Sequence, residues 1–318
     1  MLKLCAFSKS VVVCGFLAAL SPCHATLLAS DEFNYTLNAN VGGQNGGSGF
    51  SGAWGYSSQV SGSVSTAKII AGLTFSDLAV SGNAARENVI SSSSGGFADR
   101  VYLKRHPGSV PVAGDEFWFR YLFRQPQSIT ASGFAGGMDI DDVENVSLYT
   151  KFGALGLTGA GNGRGGVNVD TTSVSAPVGS PSLSDAATYL IIGKFTGVND
   201  AFGVARTGKF WALSEADYDA IKAGGITEAE LNAQNRQTAT ETVSPTSSQP
   251  LNFTTADFFE LRGVDAIAGN AFYLFDFDEV YAGTSLGDLG LPTAVPEPTT
   301  LTLLLVGLAV SWRMRRLS

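Results

Sequence analysis

Short runs of aromatic and β-branched residues, each cut off by glycine and serine, limit what this chain can fold into. Phe117-Trp118-Phe119-Arg120-Tyr121-Leu122-Phe123 is the clearest of them. Counted in twos, Phe117, Phe119, Tyr121 and Phe123 share one face, while Glu116, Trp118, Arg120 and Leu122 share the other. The all-aromatic face is therefore a core face. Residues 147–152, 188–195, 258–262 and 271–277 read as further strands. Residues 40–49 and 159–166 are glycine-rich and read as flexible loops. Neither leads into a helix or carries Gly-Lys-Ser/Thr, so neither is a phosphate loop. Many strands joined by such turns predict an all-β, two-sheet sandwich read as one domain.

One segment, about residues 214–237, has helical rather than strand character. Ser214 is placed as an N-cap, with Glu215 and Asp217 in the first turn and Leu213 and Tyr218 as a hydrophobic staple. Gly224-Gly225 should stop that helix. Thr227-Glu228-Ala229-Glu230 repeats the device, with Ile226 and Leu231 as its staple. The polar stretch 237–249, closed by Pro250, reads as a loop leading back into the sandwich.

Both ends of the chain look like addresses. Lys3 and Lys9 precede the apolar run 11–20, and Cys23-His24-Ala25 offers a small residue for cleavage, so residues 1–25 read as a signal peptide cut after Ala25. At the other end, Pro296-Glu297-Pro298 is followed by an uncharged apolar run to Trp312 and then Arg313-Met314-Arg315-Arg316. Two prolines keep the triplet extended and open to a protease. The run Thr299 to Trp312 is 14 residues, or about 21 Å of helix. A bilayer core asks for about 20 residues. A short transmembrane helix with arginines holding its end on the cytoplasmic side suits a transient inner-membrane anchor.

Residues 292–318 resemble the PEP-CTERM sorting signal of Gram-negative bacteria, through Pro296, Glu297, Pro298 and the basic end Arg313, Arg315 and Arg316. That resemblance implies recognition by an exosortase, cleavage near the triplet, export through the secretion machinery, and delivery to the cell surface or extracellular polysaccharide matrix.

Composition narrows the function. Cys5, Cys14 and Cys23 all lie in the leader, so the body, residues 26–291, has no disulfide and relies on its core. Without Lys3, Lys9, Glu297, Arg313, Arg315 and Arg316, 27 acids face 15 bases, a net charge of −12. Nucleic-acid binding needs the opposite sign. His106 is the one histidine left, in the turn-like Arg105-His106-Pro107-Gly108, which excludes sites built on two or three histidines.

The order of motifs in the body resembles a concanavalin A-like, laminin-G-like jelly roll. The matching steps are Asp31-Glu32-Phe33 at the start, Gly49-Phe50-Ser51-Gly52-Ala53-Trp54 next, and Asp278-Glu279-Val280-Tyr281-Ala282-Gly283-Thr284 near the end. The helical insert departs from a minimal sandwich of that type.

Two acidic clusters remain. Met138-Asp139-Ile140-Asp141-Asp142-Val143-Glu144 reads first as a polar turn between strands 134–140 and 145–152. Asp139, Asp141, Asp142 and Glu144 also offer the oxygens that calcium requires, without the glycine and distal glutamate of an EF-hand loop. Asp139-x-Asp141-x-x-Glu144 further resembles the Glu-x-Asp-x-x-Glu strand of laminarinase-like glycoside hydrolases. That resemblance implies Asp139 as nucleophile and Glu144 as acid/base, although Asp139 is one methylene shorter than the family's glutamate. In the second cluster, Asp276 and Asp278 alternate with Phe275 and Phe277 and read as a solvated strand face. Trp54, Trp118 and Trp211 read as core residues, with sugar stacking as the alternative. The expectation is a non-enzymatic surface or matrix protein that binds polysaccharide; the alternative is a hydrolase using the first cluster.

Overall fold

The computed structural model describes residues 26–59, 66–90, 99–109, 114, 116–126, 134–141, 154–157, 163–169, 172–174, 186–196, 206–233, 237–243, 258–265 and 272–292. The leader, the sorting tail, Asp142, Glu144 and the strand expected at 147–152 lie outside the described residues.

In chain order the strands are β1 (Leu27–Asp31), β2 (Gly55–Gln59), β3 (Thr66–Ala71), β4 (Asn83–Ile90), β5 (Asp99–Arg105), β6 (Phe117–Arg124), β7 (Phe134–Asp141) and β8 (Ala154–Leu157). They continue with β9 (Gly163–Val169), β10 (Thr172–Val174), β11 (Thr188–Thr196) and β12 (Arg206–Leu213). After helices α1 (Glu215–Lys222) and α2 (Glu228–Ala233) come β13 (Gln237–Val243), β14 (Phe258–Asp265) and β15 (Phe272–Gly283). A single 3-10 turn, Leu286–Leu289, follows. An eight-stranded sheet runs β13-β12-β11-β6-β15-β4-β3, with β1 also on β15; a seven-stranded sheet runs β10-β9-β8-β7-β14-β5-β2. Neighbouring strands are antiparallel, and the chain passes from one sheet to the other at β1–β2, β2–β3, β4–β5, β5–β6, β6–β7, β10–β11, β13–β14 and β14–β15, as in a jelly-roll sandwich.

The aromatic face of β6 does point into the space between the sheets. Phe117, Phe119, Tyr121 and Phe123 pack there with Phe275, Phe277, Ile191 and Phe195 from their own sheet and with Leu103 and Leu261 from the other. The opposite face of β6 is buried as well. Trp118 and Leu122 join Leu190, Ile192, Trp211, Tyr218, Ile221, Ile226 and Leu231 in a second core. The eight-stranded sheet is thus covered on both sides, with α1, α2, segment 73–78 and the 3-10 turn forming a cap over its outer face.

The cap seats itself by the devices its sequence announces. Ser214 and Asp217 form a capping box, and Thr227 and Glu230 exchange the same pair of bonds. Both staples are buried, and Gly225 turns the chain at φ +80°. Lys194 and Lys209 sit directly opposite each other on β11 and β12, and Glu228 of α2 bonds both, at 2.7 and 2.6 Å. Without that carboxylate two like charges would face each other across the ladder.

Three local expectations are corrected. The strand expected at 134–140 is β7, but it runs one residue further and takes in Asp141, because the ladder with β14 continues through that residue. Residues 163–166 belong to β9: Gly163-Arg164-Gly165-Gly166 pairs with β8, and Val167-Asn168-Val169 continues the strand and pairs with β10. Residues 237–243 form β13, because their alternating threonines suit a strand paired along β12.

Candidate functional site

The opening motifs build a buried anchor. Asp31, at the end of β1, accepts bonds from the Trp54 indole at 2.8 Å, the Tyr35 hydroxyl at 2.7 Å and the Phe33 backbone N–H at 2.8 Å. Its remaining partner is the Arg105 guanidinium from β5. Arg105 also donates to the Gly52 and Gly46 carbonyls, both at 2.7 Å, and lies 4.2 Å over the Phe50 ring. The glycine-rich segment 40–49 is therefore held rather than loose. At Gly49, φ is +75° and a Cβ would lie 1.9 Å from the Leu28 carbonyl oxygen, so a side chain there has no room. These residues tie β1 to the seven-stranded sheet and are engaged in structure, not exposed for ligand.

The closing motif is likewise inside. Asp276 and Asp278 are 0% exposed, which corrects the solvated face expected for them. Two flanking arginines enclose Asp276, and the cap segment at Leu73 covers Asp278. Register puts Asp276 between Arg86 of β4 and Arg124 of β6, and both arginines donate two bonds to it, at 2.6 to 2.9 Å. Asp278 has two backbone donors, Leu73 and Glu279, each at 2.8 Å. Burial pushes its carboxyl up to about 8, even though those bonds pull the other way. A bulge between Asp278 and Tyr281 gives Glu279 a φ of 52° and resets the alternation, so that Val280 and Ala282 face the same core as Phe277. Glu279 accepts from the Ser81 N–H at 2.7 Å and from Arg120 at 3.2 Å. Arg120 lies 4.2 Å over the Tyr281 ring, and its Nε and Nη1 have no acceptor among the described residues.

The first acidic cluster is only partly assembled in the described residues. Asp139 pairs with Glu260 of β14, which pairs in turn with Lys104 of β5. Glu260, a carboxylate directly across from Asp139, was not singled out by sequence; only strand register reveals the pairing. Among the described residues no group of three or more His, Cys, Asp or Glu is placed to hold a metal.

Trp54, Trp118 and Trp211 are all buried, so none offers a ring to a ligand. Tyr56 does: at 40% exposure it is the exposed large aromatic among the described residues. It lines a groove of about 410 Å³ with Asn40, Gly42, Gly43, Thr66 and Ala67. Nothing in its local sequence marks it, since a lone tyrosine in a serine-rich edge strand carries no pattern. Among the described residues no helix is long and apolar enough to cross a membrane.

Comparison with known proteins identifies the tail. Residues 294–316 match the PEP-CTERM protein-sorting motif. No curated protein matches the chain. Among solved structures, the chain is similar to an endo-β-1,4-glucuronan lyase from the fungus Trichoderma reesei, at 13% identity and TM-score 0.47, over 80% of this chain and 98% of that one. It is also similar to the globular domain of T. cruzi calreticulin, at 10% identity and TM-score 0.46, over 83% and 90%. A carbohydrate esterase from the Shiga toxin-encoding bacteriophage phi24B gives 13% identity and TM-score 0.41, over 82% and 99%. Likeness at these levels assigns no activity. The chain carries a PEP-CTERM protein-sorting motif at residues 294–316, behind a jelly-roll β-sandwich body.

Proposed function

We propose that this is an exported protein, processed by an exosortase and held at the cell surface or in the extracellular matrix, whose sandwich binds polysaccharide without cleaving it. The observation that carries this reading is the sorting motif over residues 294–316, which supports export and sorting to the cell surface. There a cysteine-free body with a net charge of −12 is soluble among hydrated polymers. The residues of the opening and closing motifs are engaged in holding the fold. The test is a pull-down of the exported protein on polysaccharide extracted from the matrix of its host, with and without calcium. Retention without release of reducing ends supports the reading, and absence of retention refutes it.

A second reading, glycoside hydrolysis, is favoured by one observation. Asp139 of β7 is directly paired with Glu260 of β14, which brings two acidic positions together on neighbouring strands, and retaining hydrolysis uses a pair of carboxyl groups. If β-glucan is cleaved, Asp139→Asn, Glu260→Gln and Glu144→Gln identify which carboxylates act; calcium-dependent melting abolished by Asp141→Ala would instead mark a metal role.

A further inference from the structure

β2 and β3 are the last strands of their two sheets, and a groove is lined by Tyr56 of β2, by Thr66 and Ala67 of β3 and by the loop residues Asn40, Gly42 and Gly43. We propose that this groove is a subsite for a neutral saccharide, with Tyr56 as the ring on which a sugar stacks; the assignment rests on the polysaccharide-binding reading above.

Four observations converge on it. The cavity, about 410 Å³, falls within the range of about 300–1,000 Å³ common for small-ligand sites. Its wall carries an exposed aromatic ring, and the C–H face of a pyranose is apolar enough to pack on such a ring. The facing loop is stripped of side chains at Gly42 and Gly43. A Cβ at Gly42 would lie 2.9 Å from the Tyr56 Cβ, and at Gly43, where φ is +87°, the space a Cβ would enter is empty. Asn40 supplies polar recognition: Lys68 Nζ holds its Oδ1 at 2.6 Å, which leaves the carboxamide N–H₂ group as a donor for sugar hydroxyls.

Charge and hydrogen bonding argue against a polyanion and against a strand added to β3. None of the described lining residues is charged, the adjacent Lys68 is already engaged, and the body carries a net charge of −12. A polyuronate or other polyanion is therefore repelled. A peptide strand cannot add to β3, because segment 38–41 already occupies that edge: the Asn38 N–H donates to Ile69, Val41 to Ala67, and Ile69 back to Ala39, at 2.9 to 3.1 Å. What fits is an uncharged ligand recognised by ring stacking and amide hydrogen bonds.

Affinity electrophoresis of the full exported protein tests this, with a soluble β-1,3-glucan, a β-1,4-xylan and dextran as neutral polymers and polygalacturonate as the acidic one. At least one neutral polymer should retard the protein, and polygalacturonate should not. Tyr56→Ala should weaken retardation by about tenfold, the scale of truncating an aromatic anchor, while Tyr56→Phe retains it. Thr66→Trp, which fills the groove from its other wall, should abolish retardation even if Tyr56→Ala fails to fold. If both variants bind as the unaltered protein does, the groove assignment is overturned while polysaccharide binding stands. Preference for polygalacturonate overturns the neutral assignment alone. No retardation by any neutral polymer overturns the subsite, and the pull-down on host matrix then decides the broader reading separately.

Discussion

The indole N–H of Trp54 donates to the Asp31 carboxylate at 2.8 Å, deep between the first strand and the seven-stranded sheet. That bond explains why an Asp-x-Phe start and a Gly-x-x-Gly-x-Trp step occur together in this chain. The tryptophan, Tyr35, the Phe33 backbone and Arg105 all converge on one carboxylate. Removing the cation leaves the carboxylate buried and short of its main counter-charge. Arg105→Met should therefore cost about 3–5 kcal/mol of stability. A double-mutant cycle with Asp31→Asn, followed by urea unfolding, should show strong coupling; additive effects would mean the pair is not a unit.

Asp278 should make stability fall as pH rises. Its carboxyl titrates near 8 in the folded protein, whereas it ionises near its ordinary value of 3.8 once unfolded. Between those values the folded state binds more protons than the unfolded one, so deprotonation favours unfolding. Glu279, also raised by burial, acts in the same direction. Melting temperature should decline from pH 5 to pH 9, and the slope should flatten in Asp278→Asn. A profile that rises over this range contradicts the burial of these carboxyls.

Glu228 should hold the cap down. Glu228→Gln removes the charge that separates Lys194 from Lys209. The sites are partly solvated, so the expected loss is modest, about 1 kcal/mol, and it should fade in high salt. Hydrogen exchange should rise in α1 and α2 before it rises in β6. Equal exchange across cap and sheet would show that the two open together.

The sorting tail should be separable from the fold. Replacing Pro296, Glu297 and Pro298 by alanine should leave the exported protein uncut at its C-terminus, read as intact mass, with an unchanged melting temperature. Normal trimming in that variant would place the processing signal elsewhere.

The parts of the molecule readable in advance are those governed by neighbours in sequence. Period two along Phe117 to Phe123 identified the face that packs between the sheets, and the spacing of Ser214, Asp217 and Tyr218 marked a helix start that the structure keeps. The burial of Asp276 and Asp278 was not readable, because their partners are far away. Arg86 is 190 residues from Asp276, and the Leu73 N–H is 205 residues from Asp278. A hint was present in Trp118 and Leu122, which are too apolar for an open face, but nothing local says which segment covers them. The same limit hid Glu260 opposite Asp139 and left Tyr56 unremarked, since both acquire meaning only from strand register and sheet edges.

The central claim is that the exported sandwich binds polysaccharide and does not cut it. Co-sedimentation of the exported protein with matrix polysaccharide from its host, with reducing ends assayed in the same tube, tests both halves at once. The expected result is saturable binding with no increase in reducing ends over prolonged incubation. A protein that stays in the supernatant, or one that releases new reducing ends in proportion to its concentration, contradicts it.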